Sequence, residues 1–344
     1  MNRCMIEILS KSADLRRQAY SQIGIKLGLY PQAVEKDLWV TTILQVLFSL
    51  DYSKHLVFKG GSSLSKVWSL IQRFSEDIDV AVDRNMFGID GDVTKKQLKK
   101  LRKESSVFVR EKLTKDIMNR LEEFGMISFC RVKPQPDGEG DDTYPEPRKI
   151  FIHYDSAFAN SPGSYMDSRV MLEVGARSLI EPTATSKVRS LIESNSQLTT
   201  TLVDSDVITA VPQKTFLEKA FLLHELFTTG NCDNANRKSR HLYDLECMMD
   251  KDFALNAIND DELWENIRHH REIFTSVRGI DYREDIRSAI MLCPPKNVIS
   301  NWQSDYLTMQ QQMVYGESLP FNKLIARMRE LESRFQSKSS HPNK

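Results

Sequence analysis

Residues 55–82 read HLVFKGGSSLSKVWSLIQRFSEDIDVAV. The run His55, Leu56, Val57, Phe58 has the length and composition of a buried strand, and it stops at Lys59-Gly60-Gly61-Ser62. Leu64, Val67, Trp68 and Ile71 then recur at helical spacing. A second strand is expected from Ile78 to Val82, with Asp77 and Asp79 at its start. Side chains two apart on a strand share a face, so these two aspartates present their carboxylates to one place. Such a pair repels unless a cation joins it. Mg2+ fits, because it takes hard oxygen ligands and combines one or two carboxylates with substrate phosphates. The Gly-Gly-Ser turn ahead of a helix supplies backbone N–H groups and a hydroxyl, the donors a triphosphate needs. A D-x-D or a Gly-Gly alone is commonplace; the order strand, glycine turn, helix, D-x-D strand is far more specific.

On the N-terminal side, Leu15, Ala19, Ile23 and Leu27 recur every fourth residue, and Val34, Leu38, Leu44, Val46 and Leu47 form a second apolar stripe, so residues 1–50 read as a helical cover. On the other side, Lys95 to Arg120 holds ten Lys or Arg against three acids, with apolar residues spaced for one or two basic amphipathic helices. Met126–Val132, Lys149–Tyr154 and Arg169–Val174 have strand character, and the Gly- and Pro-rich acidic stretch Pro134–Pro147 is a surface loop. Beyond Pro212 the pattern is helical. The chain is therefore expected to be α+β (mixed α/β): a helical cover 1–50, a mixed core 51–211, a helical domain 212–336, and a disordered tail 337–344.

Composition narrows the classes. Of 344 residues, 40% are hydrophobic and 27% charged, which fits a folded globular chain and excludes collagenous or disordered types. Lys plus Arg (47) equals Asp plus Glu (47), so attraction to nucleic acid has to come from local patches. The five cysteines are scattered without C-x-x-C spacing, which argues against a disulfide framework or a zinc site and favours a reducing cytoplasm. No apolar run suggests a signal peptide or a membrane span.

With these motifs in order, the sequence resembles the nucleotidyltransferase fold superfamily. More closely, FKGGSSLSK followed by RFSEDIDV is similar to the AbiEii/AbiGii family of nucleotidyltransferase toxins of toxin–antitoxin and phage-defence systems. Glu35-Lys36-Asp37-Leu38-Trp39, Met171-Leu172-Glu173-Val174-Gly175, Thr215-Phe216-Leu217-Glu218-Lys219 and Ser239-Arg240-His241-Leu242-Tyr243-Asp244 extend the resemblance over roughly residues 30–250. The fold it implies is a nucleotidyltransferase mixed sheet with N-terminal helices and a C-terminal helical domain.

The resemblance also implies roles. Gly60, Gly61 and Ser62 would hold nucleotide phosphates, Asp77 and Asp79 would bind two Mg2+ ions (or Mn2+), and Glu173 would be the third metal-binding carboxylate, unless it is a surface acid at a strand edge. Ser75 matches the serine of an S-x-D unit, Lys219 a helical lysine near the triphosphate, and Asp244 the last acid of an R-D-x-x-D block in which His241 stands where relatives carry aspartate. Lys59 and Arg73 could face phosphate or pair with a surface acid. The implied activity is transfer of a nucleoside monophosphate from an NTP to RNA, with tRNA 3′ ends as first candidate, by a cytoplasmic toxin restrained by an antitoxin. A phosphotransferase, a non-catalytic NTP- or RNA-binding regulator and a metal-dependent nuclease are the rival readings. The basic stretch Lys95–Arg120 is either a solvated helix or the face that meets RNA.

Overall fold

The computed structural model describes residues 4–339, apart from 76, 92, 139–142, 159–166 and 283. The chain divides into two units. The first holds Met1–Val67 and Phe74–Ala210; the second holds Trp68–Arg73 and Val211–Lys344.

The first unit is built on a seven-stranded mixed sheet in the order β3-β4-β5-β2-β1-β7-β6. Its strands are β1 (Leu56–Lys59), β2 (Asp77–Val82), β3 (Cys130–Pro134), β4 (Arg148–Tyr154), β5 (Arg169–Gly175), β6 (Thr183–Ser186) and β7 (Val207–Ala210). β1 runs antiparallel to β2 and parallel to β7, while β2 runs parallel to β5. Around the sheet lie α1 (Cys4–Leu9), α2 (Ala13–Leu27), α3 (Pro31–Phe48), α4 (Gly60–Lys66), α5 (Lys95–Val107), α6 (Thr114–Glu123) and α7 (Leu191–Asn195).

One face of the sheet is largely apolar: Ile78, Val80, Ile150, Ile152, Val170, Leu172 and Val174 are all buried. Helix α3 packs on β2, β5 and β7, and Trp39 stacks on Tyr154 with ring centroids 5.2 Å apart. Helix α3 is buried on every side from Ala33 to Phe48. Its Glu35 accepts hydrogen bonds from the Ser156 hydroxyl (2.5 Å) and the Ala157 N–H (2.7 Å), while Thr41 and Thr42 donate to carbonyls one turn back. Polar groups can enter such a helix only when each finds a partner.

The basic stretch is helical as expected: α5 starts on a Thr94–Gln97 capping box and passes through a π-helical segment, Phe108–Leu113, into α6. The acidic loop is anchored, with Asp137 accepting from buried Arg148 at 2.6 Å; its residues 139–142 lie outside the described part.

The second unit is helical: α8 (Pro212–Thr228), α9 (Arg240–Met248), α10 (Asp252–Asn259), α11 (Asp261–Phe274), α12 (Ile299–Gln312) and α13 (Phe321–Ser339). Its core is aromatic, with Phe221 against Trp264 at 4.5 Å and Phe335 bridging Trp264 (5.5 Å) and Phe216 (6.1 Å). Buried Phe335 anchors the last turns of α13, so the helix continues through residues 337–339, where the sequence suggested a disordered tail. Residues 340–344 lie outside the described part. Among the described residues no helix is long and apolar enough to cross a membrane.

Candidate active site

Strand β1 ends at Lys59, and the chain turns into α4 through Gly60 in the left-handed region (φ 76°). A Cβ on Gly60 would stand 2.1 Å from Asp79 Oδ2. Glycine is therefore needed twice over: for the backbone angle, and because the turn passes directly against a carboxylate. Helix α4 ends at Lys66 rather than continuing to Ile71, and residues 68–73 leave for the helical unit. Ser62 is 2% exposed, and its hydroxyl lies 2.8 Å from Ser75 Oγ and against the Asp77 carbonyl oxygen. In this arrangement the Ser62 hydroxyl ties the glycine turn to the start of β2. Ser75 is its partner in that tie. The turn is also held from behind by an ion pair between Lys66 and Asp37 of α3, and Asp37 in turn accepts from the Leu191 N–H at 2.6 Å.

The three carboxylates are neighbours by register. Asp79 lies opposite Glu173, and Asp77 opposite Met171, in the parallel β2–β5 pair. Lys59 lies opposite Asp79 on β1, and Lys149 opposite Glu173 on β4, with Lys149 Nζ 3.8 Å from Glu173 Oε2. The row Lys59, Asp79, Glu173, Lys149 thus sets two acids between two lysines across four strands, with Asp77 two residues before Asp79 on the same face. All five side chains are half-buried. Among the described residues no three carboxylate, histidine or cysteine groups converge on one ion-sized point. The donor set is nonetheless all hard oxygen, and an ion held by two carboxylates with phosphate oxygens completing its shell suits Mg2+ better than a closed protein cage.

The remaining candidates lie in the helical unit and form a buried ion triad. Arg73, 1% exposed, donates through Nε to Asp244 Oδ1 (2.7 Å) and through a terminal nitrogen to Oδ2 (2.8 Å). Lys219 Nζ is 2.8 Å from the same Oδ2 and 3.4 Å from His241 Nδ1. Burial would raise the Asp244 carboxyl, but Arg73 and Lys219 overcome it and hold the group well below the ordinary carboxylate range. Burial, assisted by Lys219 and Arg240, pushes His241 far down, so its ring is neutral. Of the two alternatives open for Arg73, phosphate or an acid partner, the structure shows an acid partner, and a buried one: the guanidinium is bidentate to Asp244. Asp244 is fully buried, with both oxygens engaged by Arg73 and Lys219.

Two features escaped the sequence reading. The Lys66–Asp37 tie and the Lys149–Glu173 contact both depend on long-range pairing, for which the sequence carries no local signal.

The family described as "Nucleotidyl transferase AbiEii toxin, Type IV TA system" matches residues 42–333. Comparison with curated proteins finds no match. Among solved structures, the nucleotidyltransferase toxin MenT4 of Mycobacterium tuberculosis H37Rv is similar over 93% of this chain and 98% of its own, with 14% identity and a TM-score of 0.47.

Proposed function

The chain belongs to the AbiEii family of nucleotidyltransferase toxins of type IV toxin–antitoxin systems, and we propose that it transfers a nucleoside monophosphate from an NTP to a hydroxyl of RNA, a tRNA 3′ end first among candidates, with Mg2+ as cofactor. The family implies an NTP substrate and a cognate antitoxin. The observation that carries the finer reading is the register of β2 and β5, which sets Asp79 beside Glu173 with Asp77 on the same face, directly against the Gly60 turn.

In this reading Asp77 and Asp79, with Glu173 alongside, hold Mg2+. When bound, the ion would neutralise charge on the phosphates and on the attacking and leaving oxygens. The chain's own groups do the rest. The first backbone N–H groups of α4, at Gly61 and Ser62, have no acceptor within the helix and can donate to phosphate oxygens. Lys59 at one end of the row offsets phosphate charge, and Lys149 at the other steadies Glu173. The acceptor hydroxyl gives up its proton to solvent, its oxygen forms a bond to the α-phosphorus as the bond to the bridging oxygen breaks, and pyrophosphate leaves. Ser62, Ser75 and the Lys66–Asp37 pair keep the turn in place so that positioning costs little at the moment of reaction.

Calorimetry of NTP binding tests the metal in this reading. Affinity is expected to fall at least about tenfold when EDTA replaces Mg2+, because a triphosphate beside three carboxylates is repelled without the cation. Equal affinity in both conditions would contradict it.

A further inference from the structure

The face of the sheet that carries the carboxylates has its side chains ordered in three rows by register. From β3 inward these are Arg131, His153, Arg169; then Lys133, Phe151, Met171, Asp77; then Lys149, Glu173, Asp79, Lys59. Arg131, Lys133 and His153 are exposed, and Phe151, Arg169 and Lys149 are half-exposed. Four cations therefore cluster on β3, β4 and β5, and among the described residues Glu173 lies beside Lys149 and Asp167 lies 3.1 Å from Arg169. A phenylalanine stands in the middle, with the Arg169 guanidinium 5.3 Å from its ring centroid and His153 at 6.4 Å. Burial and then the charges of Arg169 and Lys133 press the His153 pKa down, as expected where positive potential concentrates.

We propose that this face, from the carboxylates out to the β3 edge, is the track on which a single-stranded RNA acceptor lies, with Phe151 as the platform for a base. The proposal rests on the reading that the acceptor is RNA. An open sheet that combines an aromatic ring with flanking basic side chains has what single strands need: a surface for stacking and cations for the backbone. The distance is right as well. β4 is two strand spacings from β2, about 10 Å, so a base on Phe151 leaves a neighbouring nucleotide within reach of Asp77 and Asp79. The basic helices are the poorer candidate. There Lys100 pairs with Glu104 (3.7 Å), Lys112 with Asp116 (3.0 Å) and Arg120 with Glu123 (3.4 Å), and Lys103 lies over the Tyr144 ring at 5.6 Å. Those contacts answer part of the charge of this run within the helices themselves.

The test uses the full chain and a short fluorescein-labelled single-stranded RNA, titrated across a salt series, with NTP binding measured separately by calorimetry without RNA. Phe151→Ala and Phe151→Leu should each weaken RNA binding by about tenfold, the loss of one stacked base; the leucine variant keeps apolar packing while removing the ring. The double variant R131E/K133E should lower the slope of log K against log salt by about 0.7 for each lost phosphate contact. NTP affinity should be unchanged in all three. If wild type binds the RNA and every variant matches it in affinity and slope, the surface is wrong while the RNA reading stands. If wild type neither binds nor labels the RNA, the acceptor reading fails and the surface falls with it.

Discussion

Asp79→Asn is expected to lower transfer by about a thousandfold or more while the protein remains folded, and Asp77→Asn is expected to do the same. Each change removes one anionic metal ligand at nearly constant shape, and loss of stabilisation worth several kcal/mol in the transition state translates into three or more decades of rate. The side chains are half-buried at the start of β2, and the strand is held by its ladder to β1 and β5 and by Ser62, none of which needs the charge. Removing the Asp79 charge also relieves repulsion with Glu173, so thermal stability should hold or rise slightly. Single-turnover rates, with circular dichroism as the folding control, decide the matter. Wild-type rates in a folded Asp77→Asn, Asp79→Asn double variant would remove both residues from the site.

Asp244→Ala, by contrast, acts on the fold. It leaves the Arg73 guanidinium and the Lys219 ammonium buried without their anion, a situation that costs about 3–5 kcal/mol and a fall in Tm on the order of 10 °C. The dependence on pH has a definite sign. The Asp244 carboxyl has a lowered pKa in the fold, so its contribution is complete above the ordinary carboxylate range and is lost as pH falls through about 4 toward the depressed native value. The stability gap between wild type and the variant should therefore narrow on acidification below about pH 4. Denaturation of both proteins at neutral and acid pH measures it. An equal gap at both, or no gap at neutral pH, would show that the triad does not hold the helical unit together.

The parts of this molecule legible in the sequence are those governed by local periodicity. The two-residue repeat put Asp77 and Asp79 on one face, the alternation Leu172-Glu173-Val174 turned Glu173 the other way from its apolar neighbours, and Gly60 stood where a chain must turn. What could not be read depended on pairing at long range or on segments without a hydrophobic signature. Thr183–Ser186 is short and polar and Val207–Ala210, although apolar, is only four residues long, so neither announces a strand, yet they extend the sheet beyond β1. Arg73 sits two residues before Ser75 in sequence but belongs to the helical unit, so a residue that looked like part of the phosphate site is an internal ion-pair partner. The basic run from Lys95 drew attention by density of charge, while Arg131, Lys133, Lys149 and Arg169 are spread over three strands and become a patch only through register.

The central claim, transfer of a nucleoside monophosphate by the Asp77, Asp79 and Glu173 face, is tested most directly by following where each phosphate goes. Wild-type protein is incubated with Mg2+, total RNA and an NTP labelled at either the α- or the γ-phosphorus. The account predicts that α-label becomes covalently attached to RNA, that γ-label leaves as pyrophosphate, and that RNA length does not decrease. Attachment of γ-label would make the enzyme a phosphotransferase, and shortened RNA without label would make it a nuclease; either result contradicts the account.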